Sequence, residues 1–183
     1  MVSTAPEQIR PLRRVEYDHL VTLGTFEGER VELIDGAIRR MSPIGPPHAS
    51  TVALLTELLV LALAGRARVR VQTSFAASEL SEPEPDFCIV PRDDHHSAHP
   101  SAAHLIIEVA DSSLRYDRGE KAKLYAASGV PEYWVVNLRE SVVEVYRDPA
   151  AGGYLQLTTV PKGARLHLLA FPDVELAVDD FLR

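Results

Sequence analysis

The sequence predicts an α/β domain: a mixed β-sheet flanked by helices, with an N-terminal hairpin and a C-terminal strand extension. Three observations lead there. Short apolar runs rich in β-branched residues recur between residues 69 and 169, and two stretches with three-and-four spacing interrupt or precede them. Asp35-Gly36 sits between two further apolar runs, the pattern of a two-residue hairpin turn. With 183 residues, 46% of them hydrophobic and 25% charged, the chain can bury one good core in the manner of an ordinary globular protein.

Taken in order, residues 1–14 read as a flexible N-terminal arm and 15–183 as a single domain. A short helix is expected over 15–23, stopped at Gly24. Strands follow over 30–34 and 37–41, and Ser42-Pro43-Ile44-Gly45-Pro46-Pro47 ends the second. From His48 onward, Val52, Leu55, Leu59 and Ala62 share one face of a helix that stops at Gly65. Leu54, Leu58 and Leu61 widen that stripe, so burial on more than one side is expected. Strands are expected over 69–76, 86–91 and 104–110, with a polar loop over 93–103. A second helix should cover 116–128, capped by Gly129. Strands over 132–137, 142–146, 154–160 and 166–169 extend the sheet, and a last helical turn covers 178–182.

The bulk properties remove several classes. One cysteine, Cys88, excludes an intramolecular disulfide and a cysteine-rich zinc site; lying mid-strand, it reads as a small buried apolar residue. Residues 1–10 carry no apolar run, so no secretory signal is expected. The longest apolar segment, 52–64, is interrupted by Thr56 and Glu57 and is too short to span a bilayer, which points to the cytoplasm. A net charge of −7 argues against a simple nucleic-acid binder, though an acidic catalytic site can coexist with a locally basic groove. Arginines do cluster, at 10, 13 and 14, at 39 and 40, at 66, 68 and 70, and at 115 and 118; solvated surface charge accounts for most such groups.

Chemistry concentrates in three strands. Glu84-Pro85-Asp86-Phe87-Cys88-Ile89-Val90 and Leu105-Ile106-Ile107-Glu108-Val109-Ala110 each carry a carboxylate where a core strand should have none. An unpaired charge there costs roughly several kcal/mol. Alternation puts Asp86, Cys88 and Val90 on one face of the first strand, and Ile106, Glu108 and Ala110 on one face of the second. The two acids converge if the strands run antiparallel. Glu32, in Val31-Glu32-Leu33-Ile34, is a third acid in an apolar strand. Acids brought together need a shared proton or a cation between them, and a divalent metal held by acids suggests phosphate chemistry. On the second helix Asp117, Lys121 and Tyr125 share a face, while Lys123 points nearly opposite. Lys121 could stabilise a pentacovalent phosphate, or it could merely form a surface ion pair with Asp117 worth ~0.3–0.5 kcal/mol.

Pro85-Asp86 followed by Glu108 resembles the Pro-Asp…(Asp/Glu)-X-Lys nuclease superfamily. More narrowly, the chain from about 15 to 182 resembles the Uma family of restriction-endonuclease-like proteins. The matching pieces are Glu32-Leu33-Ile34-Asp35-Gly36, His48, Glu84-Pro85-Asp86, Ile107-Glu108-Val109, Asp117-Arg118-Gly119-Glu120-Lys121, Tyr125, and residues 129–136. The resemblance implies a restriction-endonuclease-like core and Mg²⁺- or Mn²⁺-dependent hydrolysis of DNA phosphodiester bonds by a homodimer. It implies that Asp86, Glu108 and the Val109 backbone carbonyl hold the metal, with Glu32 a second-shell or second-metal ligand. The superfamily lysine two residues after the glutamate is Ala110 here; the resemblance moves that role to Lys121, with Lys123 the fallback.

The remaining candidates keep two readings each. His48 binds phosphate or the metal's outer shell, or caps the helix. Gln72 neighbours the site or occupies an exposed alternate position, and Tyr125 packs under the site. His95, His96 and His99, near Asp93 and Asp94, lie in a loop with nothing to fix ligand geometry, which argues against a metal there. Tyr133 and Trp134 read as core or dimer interface. Two alternatives to a nuclease stay open. One is a nuclease-like fold kept as a catalytically inactive DNA-binding or regulatory module, the other a metallohydrolase of smaller phosphoesters.

Overall fold

The computed structural model describes residues 9–93 and 95–183. Residues 1–8 of the expected arm, and Asp94, lie outside the described residues. The last residues of that arm are tied down: Leu12 N–H donates to the Gly36 carbonyl (2.9 Å) and Arg14 N–H to that of Glu79 (2.7 Å).

Helix α1 (Arg14–Thr22) begins with a one-sided cap, the Glu16 carboxylate accepting from the Arg13 N–H at 2.9 Å. Its one buried residue, Tyr17, donates to the Val31 carbonyl and fixes α1 against β1 (Val31–Ile34). The turn to β2 (Ala37–Arg40) has φ of +49° at Asp35 and +75° at Gly36, both in the left-handed region the tight hairpin demands. A Cβ on Gly36 would stand 2.3 Å from Pro11 Cβ and 2.8 Å from its Cα. Gly36→Ala should therefore cost about 1–3 kcal/mol, read as a lower denaturant midpoint with unchanged slope.

Helix α2 (Pro46–Ala62) starts two residues before His48, because Pro46 and Pro47 fit a first turn whose N–H groups have no helical acceptor. Val52, Leu55 and Leu59 are buried on it, but Leu61 is 70% exposed. The expectation of burial on several sides is wrong, since α2 covers one face of the sheet and its back meets solvent.

The main sheet has the order β3-β4-β5-β6-β7-β8, built from β3 (Arg68–Val71), β4 (Phe87–Val90), β5 (Leu105–Ala110), β6 (Glu132–Asn137), β7 (Val142–Ala150) and β8 (Gly153–Pro161). Every neighbouring pair is antiparallel except β5 and β6. That parallel pair requires a crossover, supplied by α3 (Leu114–Tyr116), a π-helical turn (Asp117–Lys121) and α4 (Ala122–Ala127). The second helix is thus present but interrupted. Strand β3 stops at Val71 rather than 76 because Gln72 has φ of +48°.

The two sheet faces bury separate cores. On one, Val52, Leu55 and Leu59 of α2 pack on Phe87, Ile107 and Trp134. On the other, Ala122 and Tyr125 of α4 pack on Cys88, Ile106 and Tyr133. Cys88 is buried and unbridged, and burial pushes its thiol up to about 12, an inert core group. Tyr133 and Trp134 are fully buried on opposite faces, so they are core and not a subunit interface. Strand β9 (Arg165–Leu168) does not extend the main sheet as expected. It pairs with β10 (Phe171–Ala177), which the sequence reading missed, in a separate hairpin over the α2 side. Glu132 holds that hairpin by accepting from the Leu169 N–H (2.8 Å) and from Arg147, which also donates to the His167 carbonyl. The last helical turn is a short 3₁₀ segment, Val178–Asp180. Among the described residues no helix is long and apolar enough to cross a membrane.

Candidate active site

Register decides the site. Phe87 pairs with Ile107 in the antiparallel β4–β5 ladder, so Asp86 falls opposite Glu108, one step past the end of β4. Without a β4 residue to pair with, the Val109 N–H donates to Asp86 Oδ2 at 2.8 Å. In extended chain a residue's N–H and C=O point to the same side, so the Val109 carbonyl also faces Asp86. His48 Nε2 lies 3.0 Å from Asp86 Oδ2, and Gln72 Nε2 donates to Oδ1 at 3.1 Å. The left-handed backbone at Gln72 ends β3 and accompanies this contact. Burial pushes the Asp86 carboxyl up, but the hydrogen bonds from His48, Val109 and Gln72 outweigh it and hold the group below the usual carboxylate range.

Glu108 is 5% exposed and faces the crossover helix, as the alternation required. Lys121 Nζ donates to its Oε1 at 2.9 Å and the Tyr125 hydroxyl to the same oxygen at 2.7 Å. Lys121 also reaches Glu32 Oε2 at 3.2 Å, an oxygen that accepts from the Glu84 N–H. Two strands, β1 and β5, and the crossover helix therefore converge on a lysine between two glutamates. Burial raises Glu108 to about 8 against the pull of Lys121, and Asp117, Asp86 and Glu32 add to the rise. Burial works against the charge of Lys121, yet Glu108, Glu32 and Asp117 together hold its pKa above the ordinary lysine value.

The surface ion pair between Asp117 and Lys121 does not form. Both are buried, and Asp117 instead accepts from Ser113 Oγ at 2.6 Å. The π-helical turn spans both residues, and the Asp117 carbonyl accepts from the buried Tyr133 hydroxyl. Burial lifts the Asp117 carboxyl to about 6, with Lys121 and the Ser113 hydroxyl opposing the rise. Lys123 is exposed on the far side of the helix and does not line the cleft.

These groups open into a cleft of about 380 Å³ lined by Asp86, Glu108, Val109, Lys121, Glu32 and His48. Sequence reasoning missed its rim. Arg30 pairs with Glu84 (2.9 Å), Arg40 with Glu29 (2.6 Å), and Arg39 with Glu120 (2.8 Å) while lying over the Tyr116 ring. Only the Arg39-Arg40 pair in the sequence hinted at it.

Among the described residues, no three His, Cys, Asp or Glu side chains are placed to hold a metal ion by themselves. The cleft offers a different donor set: Asp86 Oδ1, the Glu108 oxygen to which neither Lys121 nor Tyr125 donates, and the Val109 carbonyl. Mg²⁺ is commonly held through one or two carboxylates while keeping several waters, so this all-oxygen set fits it.

Behind β1 lies a second groove, of about 780 Å³, with Glu82 in its wall. Glu82 is 3% exposed, and burial, then the nearby charge of Asp18, pushes its carboxyl up to about 7 despite Ser74 and Arg14. His99 Nε2 also faces it at 3.8 Å, and Tyr17 and Arg70 line the same groove. An acid raised on folding gives its stability below about pH 4.3, the unfolded value, and loses it as pH climbs through the folded value. The melting temperature of the wild type should therefore fall by several degrees relative to Glu82→Gln between pH 5 and 8. Parallel pH profiles in a thermal-shift series would contradict this.

Residues 15–179 match the family model Uma2, described as "Putative restriction endonuclease". Among solved structures, the crystal structure of a "putative nuclease belonging to DUF820" from Anabaena variabilis superposes with a TM-score of 0.74 at 16% identity, over 94% of this chain and 98% of that one. At that identity the likeness speaks for the fold. Comparison with curated proteins finds no match.

Proposed function

The chain belongs to the Uma2 family, and on that footing we propose that it hydrolyses DNA phosphodiester bonds with a divalent metal, Mg²⁺ or Mn²⁺. The observation that carries this reading is the convergence of Asp86, Glu108 and Lys121 in one cleft, with the Val109 N–H on the Asp86 carboxylate. Asp86, Glu108 and the Val109 carbonyl would hold the metal. Bound there, it would supply positive charge to a phosphate oxygen and a lowered pKa to a bound water.

The chain's own residues do the rest. Val109, His48 and Gln72 fix the Asp86 carboxylate in one orientation, and its depressed pKa keeps it anionic. Tyr125 and Lys121 fix Glu108 from one side. The Lys121 ammonium, held charged by two glutamates, would stabilise negative charge developing on the phosphate. An ammonium on a long stem reaches this place from a helix as well as from Ala110's position on the strand, so the missing strand lysine is no obstacle. Glu32 anchors Lys121 and the Glu84 backbone.

The enzyme works in the cytoplasm as a homodimer, the state expected of a protein that cuts both strands; gel filtration should return twice the chain mass. Supercoiled plasmid incubated with the protein should be nicked or linearised in Mg²⁺ or Mn²⁺ and left intact in EDTA. Plasmid retained in a mobility shift but never cut, with metal present, would favour the inactive binding module instead.

A further inference from the structure

The Arg30–Glu84 pair stands between the cleft and the second groove, and both residues line both spaces. We propose that the second groove seats a nucleobase next to the scissile phosphate, a base carrying an exocyclic amine, cytosine above all, with Glu82 as the acceptor that selects it. The proposal rests on the nuclease reading and extends it from the backbone to the base.

Glu82 is fixed before any ligand arrives. It bridges Leu33 through both backbone groups (2.7 and 3.3 Å), and its side chain is buried in the groove wall. Its Oε2 has no hydrogen-bond partner. Arg14 Nη1 stands 3.8 Å from it, and His99 Nε2 stands 3.8 Å from Oε1, both too long for a hydrogen bond. Arg70 Nε and His95 Nε2, also in the groove lining, are buried and unpartnered too. Nine in ten buried polar atoms, roughly, are satisfied in native proteins. Here three orphans line one groove and two more, His48 Nδ1 and Tyr116 Oη, line the cleft beside it.

A fixed carboxylate sharing a groove with an unpartnered arginine N–H and a histidine ring nitrogen complements the edge of a base. Glutamate accepting from the cytosine N4 amine is the pairing its geometry favours. Tyr17 and Phe26, stacked at 5.7 Å, give the groove an aromatic wall. A phosphate is disfavoured there by Glu82 together with Asp18, Glu27 and Glu29, which also line it. Glu82 and Glu84 are two residues apart in extended chain, about 6–7 Å at a rise of ~3.3 Å. A base in the groove can thus belong to the nucleotide whose phosphate lies in the cleft.

The test is the end-sequence profile of a randomised DNA pool cut by the wild type in Mg²⁺. Cytosine should be enriched at least about fivefold over thymine at one fixed offset from the cut. Glu82→Ala should bring that position to parity while the pool is still cut, and Glu82→Gln should move the preference toward adenine, which a carboxamide reads with two hydrogen bonds. The same order, dC over dT, should appear in EDTA as anisotropy of labelled tetranucleotides, and should vanish in Glu82→Ala. Cutting without any preference, or a preference that both variants retain, overturns the base pocket and leaves the nuclease reading standing. Absence of cutting by the wild type removes the nuclease reading, and equal binding of dC and dT strands in EDTA then removes the pocket as well.

Discussion

Glu108→Gln should lose at least about 100-fold in metal-dependent cleavage while melting within a few degrees of the wild type in EDTA, because the carboxamide keeps the shape and the acceptor oxygen but gives up the charge a cation needs. Lys121 and Tyr125 both donate to Oε1, a contact an amide oxygen can accept. The metal response should separate the two proteins more sharply than the fold does. Mg²⁺ should raise the wild-type melting temperature by mass action and leave the variant unmoved. Asp86→Asn should behave likewise. Equal cleavage by wild type and both variants would remove these carboxylates from the chemistry.

Lys121→Ala should cost about 3–5 kcal/mol of stability, the range for removing one partner of a buried ionic group. The lysine side chain is 6% exposed, and Glu108 and Glu32 sit at 2.9 and 3.2 Å from its ammonium. Taking it away strands two acids at the base of the cleft without their cation. At ~2–4 °C per kcal/mol for a chain of this size, the melting temperature should drop by roughly 10 °C. Adding Glu108→Gln to Lys121→Ala should recover part of that loss, since one of the stranded charges goes with it. A loss below about 1 kcal/mol, or a double variant no better than Lys121→Ala, would mean that the lysine is wet and replaceable.

Much of this site was legible because a strand's period of two is unforgiving. Glu108 had to share a face with Ile106 and Ala110, and the face was the one the following helix covers. The four-residue step from Lys121 to Tyr125 then put both on the carboxylate, even though a π-helical turn lies just ahead. Gln72 and His48 were less readable. Their contacts to Asp86 depend on a left-handed residue and on the angle at which α2 enters, and neither follows from local pattern. The fold was harder to read at its C-terminal end. Leu166 and Leu168 alternate like any strand, and nothing local says that their partner is β10 rather than β8. Strand β10 itself was hidden by Pro172 and Asp173, which sit where its register slips between Phe171 and Glu175. The paired arginines of the rim were also hidden, since each glutamate partner is remote in sequence or on another element.

The most direct measurement is a crystal soaked in Mn²⁺ and recorded for anomalous scattering. An anomalous peak bridging Asp86 and Glu108, within bonding distance of the Val109 carbonyl and absent from Glu108→Gln crystals, is what the account predicts. A cleft that stays empty at millimolar Mn²⁺, with Lys121 still locked between Glu32 and Glu108, would contradict it.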